Sequence, residues 1–261
     1  MLKTRIVTAL ISLVLIGIVL FAVPRQYTEL IIGALLVAGA WEWSGFLGSS
    51  GAGMRLVYTV IVTAALGLVH FVFPENTVLV LQVGCAWWII AFFWNLRFPT
   101  PIPATLRWLS GLLVIVPLYA ALVLLLRLGV EYLIFTLLIV WAADAGAYFT
   151  GKKFGRVKLA PAISPGKTWE GVVGGLLLVA LLAAVVAVWR DLSFAVFLPF
   201  GLAVAAISIV GDLTVSMFKR TAGAKDSGSL FPGHGGVLDR VDSVAAAAPL
   251  FALGVSWLGL A

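Results

Sequence analysis

Charge is what this chain lacks most: 11% of its 261 residues are Asp, Glu, Lys or Arg, whereas 62% are hydrophobic. A soluble globular domain carries about 25% charged residues, so water is excluded as the main solvent. The chain has a single cysteine, Cys85, inside an apolar stretch. That rules out a disulfide framework and a Cys-based zinc site, and leaves a small packing residue. Long polar linkers and internal repeats are missing too, so residues 1–261 are expected to form a single membrane domain. The amino-terminal stretch, Lys3 and Arg5 followed by Ile6 to Val23, has the charge layout of a signal peptide. It has no small-x-small site before Pro24, and its apolar run exceeds the roughly 7 to 15 residues of a cleaved signal. A retained first helix is the expectation.

What is present is a succession of apolar stretches about 20 residues long, each able to cross a hydrocarbon core roughly 30 Å thick. Hydropathy and punctuation predict nine helices at approximately 6–23, 29–47, 54–73, 77–95, 107–127, 131–150, 170–189, 194–217 and 239–260. The breaks fall at Gly48 to Gly53, at Pro74-Glu75-Asn76 and at the cluster Pro99, Pro101, Pro103, where turn chemistry places them. The expected fold class is all-α, a polytopic integral membrane protein. Lys and Arg concentrate on the cytoplasmic side of such proteins. With the amino terminus in the cytoplasm only Arg25, Arg127 and Arg190 of the 17 Lys and Arg residues fall outside. An odd number of spans then puts the carboxyl terminus in the periplasm, which implies a bacterial inner membrane. The net charge of +6 gathers on two cytoplasmic loops, 151–169 and 218–238. A basic loop can serve simply to anchor to anionic lipid, so charge alone does not make either loop a site.

Ionisable groups inside spans are costly and mark functional paths or paired interior sites. Glu42, Asp144, Asp212 and the pair Asp239 and Asp242 stand out, and all but Glu42 lie near the cytoplasmic ends of their helices. Residues three and four apart share a helix face. Asp212 and Ser216 are so related, with Lys219 a turn further, and so are Asp239, Asp242 and Ser243, and Asp144 with Tyr148. Each helix end therefore carries a polar stripe suited to holding a cation beside lipid headgroups. A helix cap or a salt-bridge partner is the alternative for any one of them taken alone.

From Ser216 to Asp242 the chain carries Lys219, Arg220, Lys225, Asp226, Ser227, Gly228, Pro232, Gly233, His234, Gly235, Gly236, Asp239 and Arg240. Carboxylates suit Mg²⁺, which takes one or two of them and completes its octahedron with substrate phosphates. Lys and Arg neutralise phosphate oxygens, and glycines let backbone N–H groups approach an anion. His234 can donate to a phosphate or simply shape a glycine-rich turn. A second cluster, Ser164-Pro165-Gly166-Lys167-Thr168, ends like a phosphate-binding loop but lacks the upstream glycine and the strand-to-helix setting of a Walker fold. Ser164 is expected to cap the following helix, with Lys167 and Thr168 meeting phosphate at its amino terminus.

At these residues the chain resembles the phosphatidate cytidylyltransferase (CDP-diacylglycerol synthase) family. The family pattern is Ser-x-apolar-Lys-Arg, four residues, Lys-Asp-x-small, two residues, apolar, Pro or Gly, x, His-Gly-Gly-apolar-x-Asp-Arg-apolar-Asp. Ser216 to Asp242 meets every fixed position. The resemblance extends to Trp141 to Tyr148, Ser164 to Gly171 and Gly211-Asp212-Leu213, and more weakly to Glu42. Many members have Glu where this chain has Val215. The resemblance implies a membrane enzyme that uses Mg²⁺, with a second cation allowed, and that joins CTP to phosphatidate with release of pyrophosphate. It also implies a homodimer. Asp212 and Asp239 correspond to the metal-binding pair and, with Lys219 and Arg220, to the catalytic set. The expected substrate-binding residues are Asp144, Ser164, Lys167, Thr168, Ser216, Lys225, Asp226, His234, Gly235, Gly236, Arg240 and Asp242, in a catalytic half spanning about 131–261. The expected partners are CTP, phosphatidate and the bilayer, with no nucleic acid. Three rivals remain in view. A CDP-alcohol phosphatidyltransferase would need Asp-Gly, two residues, Ala-Arg, which the chain lacks. A CTP-dependent lipid kinase would direct attack to the γ-phosphorus. A cation or proton transporter would place its site at the midplane with access from both sides.

Overall fold

A computed structural model describes residues 2–48, 51–72, 74–233 and 235–259. Nine α-helices lie within them: α1 Leu2–Phe21, α2 Arg25–Ser44, α3 Ala52–Gly67, α4 Thr77–Arg97, α5 Ala104–Leu128, α6 Val130–Phe154, α7 Trp169–Trp189, α8 Phe194–Thr221 and α9 Leu238–Trp257. A π-helical turn, Leu68–Val72, prolongs α3, and a 3₁₀ turn, Pro74–Asn76, leads into α4. Six helical stretches are long and apolar enough to cross a membrane: Ala52–Val72, Pro74–Arg97, Ala104–Leu128, Val130–Phe154, Trp169–Trp189 and Phe194–Thr221.

The bundle is organised around α9. This helix packs against α4, α5, α6 and α8 and buries nearly everything from Ser243 to Val255. Its run Ala245 to Ala248 is buried on all sides, and small residues let neighbouring helices approach closely. A helix so enclosed has little need of large lipid-facing side chains. Outer helices show the opposite pattern, and α7 exposes Leu177, Leu181 and Val188.

Helices α6 and α7 pack backbone against backbone. A Cβ on Gly146 would stand 2.6 Å from the Gly174 carbonyl oxygen, and one on Gly175 the same distance from that of Ala143. Without side chains at these positions the two backbones touch, which fixes the segment of α6 around Asp144 relative to α7.

The chain is mostly helical, as expected of an all-α membrane protein, and one short antiparallel hairpin, β1 Lys158–Ala160 and β2 Ser164–Thr168, joins α6 to α7. Ser164 lies on β2 opposite Ala160, so it is not the cap of α7. Thr168 is the cap, accepting a hydrogen bond from the Gly171 N–H at 3.2 Å. The two basic loops are also shorter than their charge suggests. Helix α6 continues through Lys152 and Lys153, and α8 through Lys219 and Arg220. Cations are favourable in the last turn of a helix, where the backbone dipole is negative, so these residues extend the helices.

Candidate active site

Five elements meet at one end of the bundle: the β1–β2 hairpin, the last turns of α8, the loop 222–237, the first turn of α9, and the carboxyl-terminal end of α2. The hairpin is fastened to α8 twice. Lys167 forms an ion pair with Asp212, and the Arg220 Nε donates to the Ile163 carbonyl at 3.1 Å. Arg220 also reaches the loop through the Ala224 carbonyl at 3.3 Å. Its guanidinium is thus a strut between hairpin and loop.

Asp212 sits midway along the last turns of α8 with 24% of its side chain exposed. One oxygen takes Lys167, and the other accepts from the Ser216 hydroxyl one turn on, at 3.2 Å. Asp144 of α6 and Asp242 of α9 both lie within electrostatic reach of Asp212. Carboxylates from three helices therefore share one electrostatic neighbourhood, in which Lys167 and Arg240 act on Asp144, and Lys219 and Lys167 act on Asp242.

Asp239 opens α9 and is held more tightly. Its Oδ1 accepts from the Lys219 Nζ at 2.7 Å. Its Oδ2 accepts from the Ser227 N–H at 2.8 Å, the Ser227 hydroxyl at 2.9 Å and the Gly236 N–H at 2.9 Å. Both partners are buried, with side-chain exposures of 9% for Lys219 and 7% for Asp239. Lysine and aspartate are almost never so buried unless paired. Gly235, at φ +81°, turns the loop back over Asp239, and a side chain there would collide with the Asp239 carboxylate. Phe231 and Gly235 bridge across this turn. His234, between them in sequence, lies outside the described residues.

Of the residues that sequence reasoning groups together, Asp212 meets Lys167 and Ser216, Asp239 meets Lys219, and Arg220 reaches the hairpin. The two metal candidates thus go to different lysines, Asp212 to Lys167 and Asp239 to Lys219. Lys225, Asp226 and Arg240 are exposed, and none of them makes a side-chain hydrogen bond among the described residues. Lys225 is thus a cation with no side-chain hydrogen bond among the described residues, and Arg240 acts electrostatically on Asp144.

One participant comes from outside 131–261. Glu42, on α2, accepts from the Val237 and Leu238 N–H groups and from the Ser227 hydroxyl, each at 2.9 Å. Trp43 beside it packs on Phe218 of α8, ring centroids 4.9 Å apart, and so docks this end of α2 against the site. A glutamate between two tryptophans in an apolar helix is conspicuous in the sequence, but nothing local says which residues it meets.

As a place for a hard cation, the site supplies the right donor chemistry in limited number. Among the described residues no group of three His, Cys, Asp or Glu side chains could hold a metal by itself. Mg²⁺ commonly takes one or two carboxylates and fills its remaining positions from water and substrate phosphates; here Asp212 accepts from Lys167 and Ser216, and Asp239 from Lys219, Ser227 and Gly236.

The chain matches the model of the cytidylyltransferase family over residues 3–258. It is 42% identical to the phosphatidate cytidylyltransferase of Pseudomonas aeruginosa over 97% of this chain and 96% of that protein. It is 37% identical to the Haemophilus influenzae protein of the same name, over 96% and 97%. A third relative of that name, from Brucella suis, is 46% identical over 48% of this chain and 47% of its own length. One lysine–carboxylate pair joining the hairpin to α8 and a buried one joining α8 to α9, a glycine-rich turn closing over the second, and similarity running from end to end lead to one conclusion: this chain belongs to the cytidylyltransferase family.

Proposed function

We propose that the chain transfers CMP from CTP to phosphatidate, forming CDP-diacylglycerol and pyrophosphate. The observation that carries this reading is the pair of lysine–carboxylate contacts, Lys167 of the hairpin with Asp212 of α8 and Lys219 of α8 with Asp239 of α9, together with the exposed cations Lys225 and Arg240 on the loop and first turn of α9. Relatives named phosphatidate cytidylyltransferase support it over the whole length.

A phosphatidate oxygen attacks the α-phosphorus of CTP. The new P–O bond forms as the bond to the bridging oxygen of pyrophosphate breaks. The second ionisation of a phosphate monoester lies near pH 6 to 7, as for phosphorylated side chains at about 6, so the nucleophile needs no strong protein base. What the protein supplies is positioning and charge neutralisation. Lys225 and Arg240 offset the repulsion between two anionic substrates, and Lys167 and Lys219 hold the carboxylates in place. Mg²⁺ bound through Asp212 and Asp239, with a second cation allowed, would supply charge stabilisation on the phosphates. Ser216, Thr168 and Ser164 belong to the proposed substrate-binding set, and Gly235 and Gly236 keep the loop close to Asp239. Asp144, Asp226, Asp242 and His234 complete the proposed substrate-binding set.

The same reading has nine spans, a cytoplasmic amino terminus, a periplasmic carboxyl terminus and a site at the cytoplasmic face of a bacterial inner membrane. The distribution of Lys and Arg supports this orientation, and α1, α2 and α9 then cross the bilayer beside the six longer apolar stretches. A homodimer belongs to the same proposal through the family resemblance.

The test is to incubate purified protein with labelled CTP and phosphatidate, with and without Mg²⁺, and to identify the products. CDP-diacylglycerol with pyrophosphate is expected. A lipid phosphate with CDP would instead identify a kinase. For topology, a carboxyl-terminal alkaline phosphatase fusion should be active, and a fluorescent cytoplasmic reporter at that end would show that a span has been miscounted.

A further inference from the structure

We propose that Glu42 is a positioning residue of this site, acting on Asp239 through Ser227 and through the first turn of α9. The inference rests on the CMP-transfer reading and adds to it a residue from the amino-terminal half of the chain.

Helix α9 begins without a cap of its own. Val237 precedes it and offers no side-chain acceptor, although the first N–H groups of any helix need partners. Glu42 provides them from α2. Its Oε1 accepts from the Val237 N–H and its Oε2 from the Leu238 N–H. A carboxylate at a helix amino terminus is also favoured by the backbone dipole. The space is built for this carboxylate. A Cβ on Gly228 would stand 2.6 Å from the Glu42 Oε1, and one on Gly236 would collide with both carboxylate oxygens.

The link to Asp239 runs through one hydroxyl. Ser227 Oγ lies 2.9 Å from the Glu42 Oε2 and 2.9 Å from the Asp239 Oδ2. A serine has one hydroxyl proton, so the two carboxylates share it. The main-chain N–H of Ser227 and that of Gly236 also go to Asp239. Glu42 thereby sets the position of the two loop residues that hold Oδ2, and this leaves Oδ1 facing Lys219. Glu42 itself is only 8% exposed behind the loop, so it acts without touching substrate.

The test compares Glu42→Gln, Ser227→Ala and the double variant, purified as the full chain in detergent. Gln keeps the size but replaces one acceptor oxygen with a donor that cannot receive the Val237 or Leu238 N–H. Small misplacements of catalytic groups are costly, so Glu42→Gln should lower kcat about tenfold or more, with the KM for CTP changed less than about threefold. Ser227→Ala should lower kcat at least about threefold with an unchanged melting profile. Residues acting as a unit are not additive, so the double variant should be scarcely slower than Glu42→Gln alone. Wild-type kcat in Ser227→Ala, or a double loss equal to the product of the single losses, would overturn the proposal. So would a Glu42→Gln protein that melts lower yet turns over normally per folded molecule. Should Glu42→Gln fail to accumulate, Ser227→Ala decides by itself. Failure of the underlying reading is seen separately, in wild-type protein that makes no CDP-diacylglycerol.

Discussion

Helix α2 carries two buried glutamates, and their charges are met in opposite ways. Glu29, near its start, is gripped by a cation: the Arg127 guanidinium donates to both carboxylate oxygens at 2.9 and 2.8 Å. His70 stands 3.8 Å from Glu29 and shares a 2.8 Å hydrogen bond with Tyr119, so the cluster closes on itself. Glu42, 13 residues later and about 20 Å away at 1.5 Å per residue, receives only neutral donors, two main-chain N–H groups and a serine hydroxyl. An ion pair satisfies a charge and ends there. A carboxylate met by amides passes its position on to the segment that owns them, and that segment carries Asp239. One end of α2 is expected to hold the bundle together, the other to aim a site.

The largest effect should appear at the Glu42 end. Asp239→Asn and Asp212→Asn keep size but remove charge, and each should lower turnover about 100-fold or more, the scale of a lost preorganised electrostatic contact. CDP-diacylglycerol formation across a Mg²⁺ titration measures this, on protein shown to be monodisperse. Near-normal turnover in either would remove the catalytic end from the comparison. Lys219→Gln comes next, with turnover down about tenfold, since it frees Asp239 Oδ1 but leaves three donors on Oδ2. A melting curve taken alongside separates that loss from unfolding.

At the Glu29 end the expected effect is on stability. Arg127→Gln leaves a buried carboxylate without its cation, costing roughly 1 to 2 kcal/mol, below the value for a fully buried pair because Arg127 stays 39% exposed. Thermal unfolding in detergent should fall by a few degrees while turnover per folded molecule is retained. Equal damage to turnover would erase the distinction between the two ends. The smallest effect concerns a cap supplied locally: Thr168→Ala removes the acceptor for the Gly171 N–H and should cost about 1 kcal/mol. Chemical denaturation would measure it, and a loss as large as that of Arg127→Gln would mean the hairpin leans on this residue more than one hydrogen bond allows.

Much of the helical order could be read from residue pattern. The breaks at Pro74 and at the Pro99 to Pro103 cluster lie between helices as expected, because proline and glycine act locally. Helix ends were misjudged where charge was taken for loop: Lys152, Lys153, Lys219 and Arg220 are helical. Their side chains can reach water or a carboxylate while the backbone stays helical, so hydropathy alone sees a boundary a turn too early. The hairpin was missed for a related reason, since five residues containing Pro165 and Gly166 carry no strand periodicity.

For the site, sequence spacing brings Asp212 to Ser216 and groups Asp239 with Asp242, because a helix face repeats every three to four residues. Composition alone determined that the chain belongs in a bilayer, and the run from Ser216 to Asp242 determined its chemical character. Only tertiary structure decided which lysine meets which aspartate, that Arg220 braces the hairpin, and that Glu42 caps α9. The physical reason is distance along the chain: Glu42 meets Ser227 across 185 residues and Val237 across 195. No local propensity encodes such a contact, and only the docking of α2 against α8 brings the carboxylate to the amides that need it.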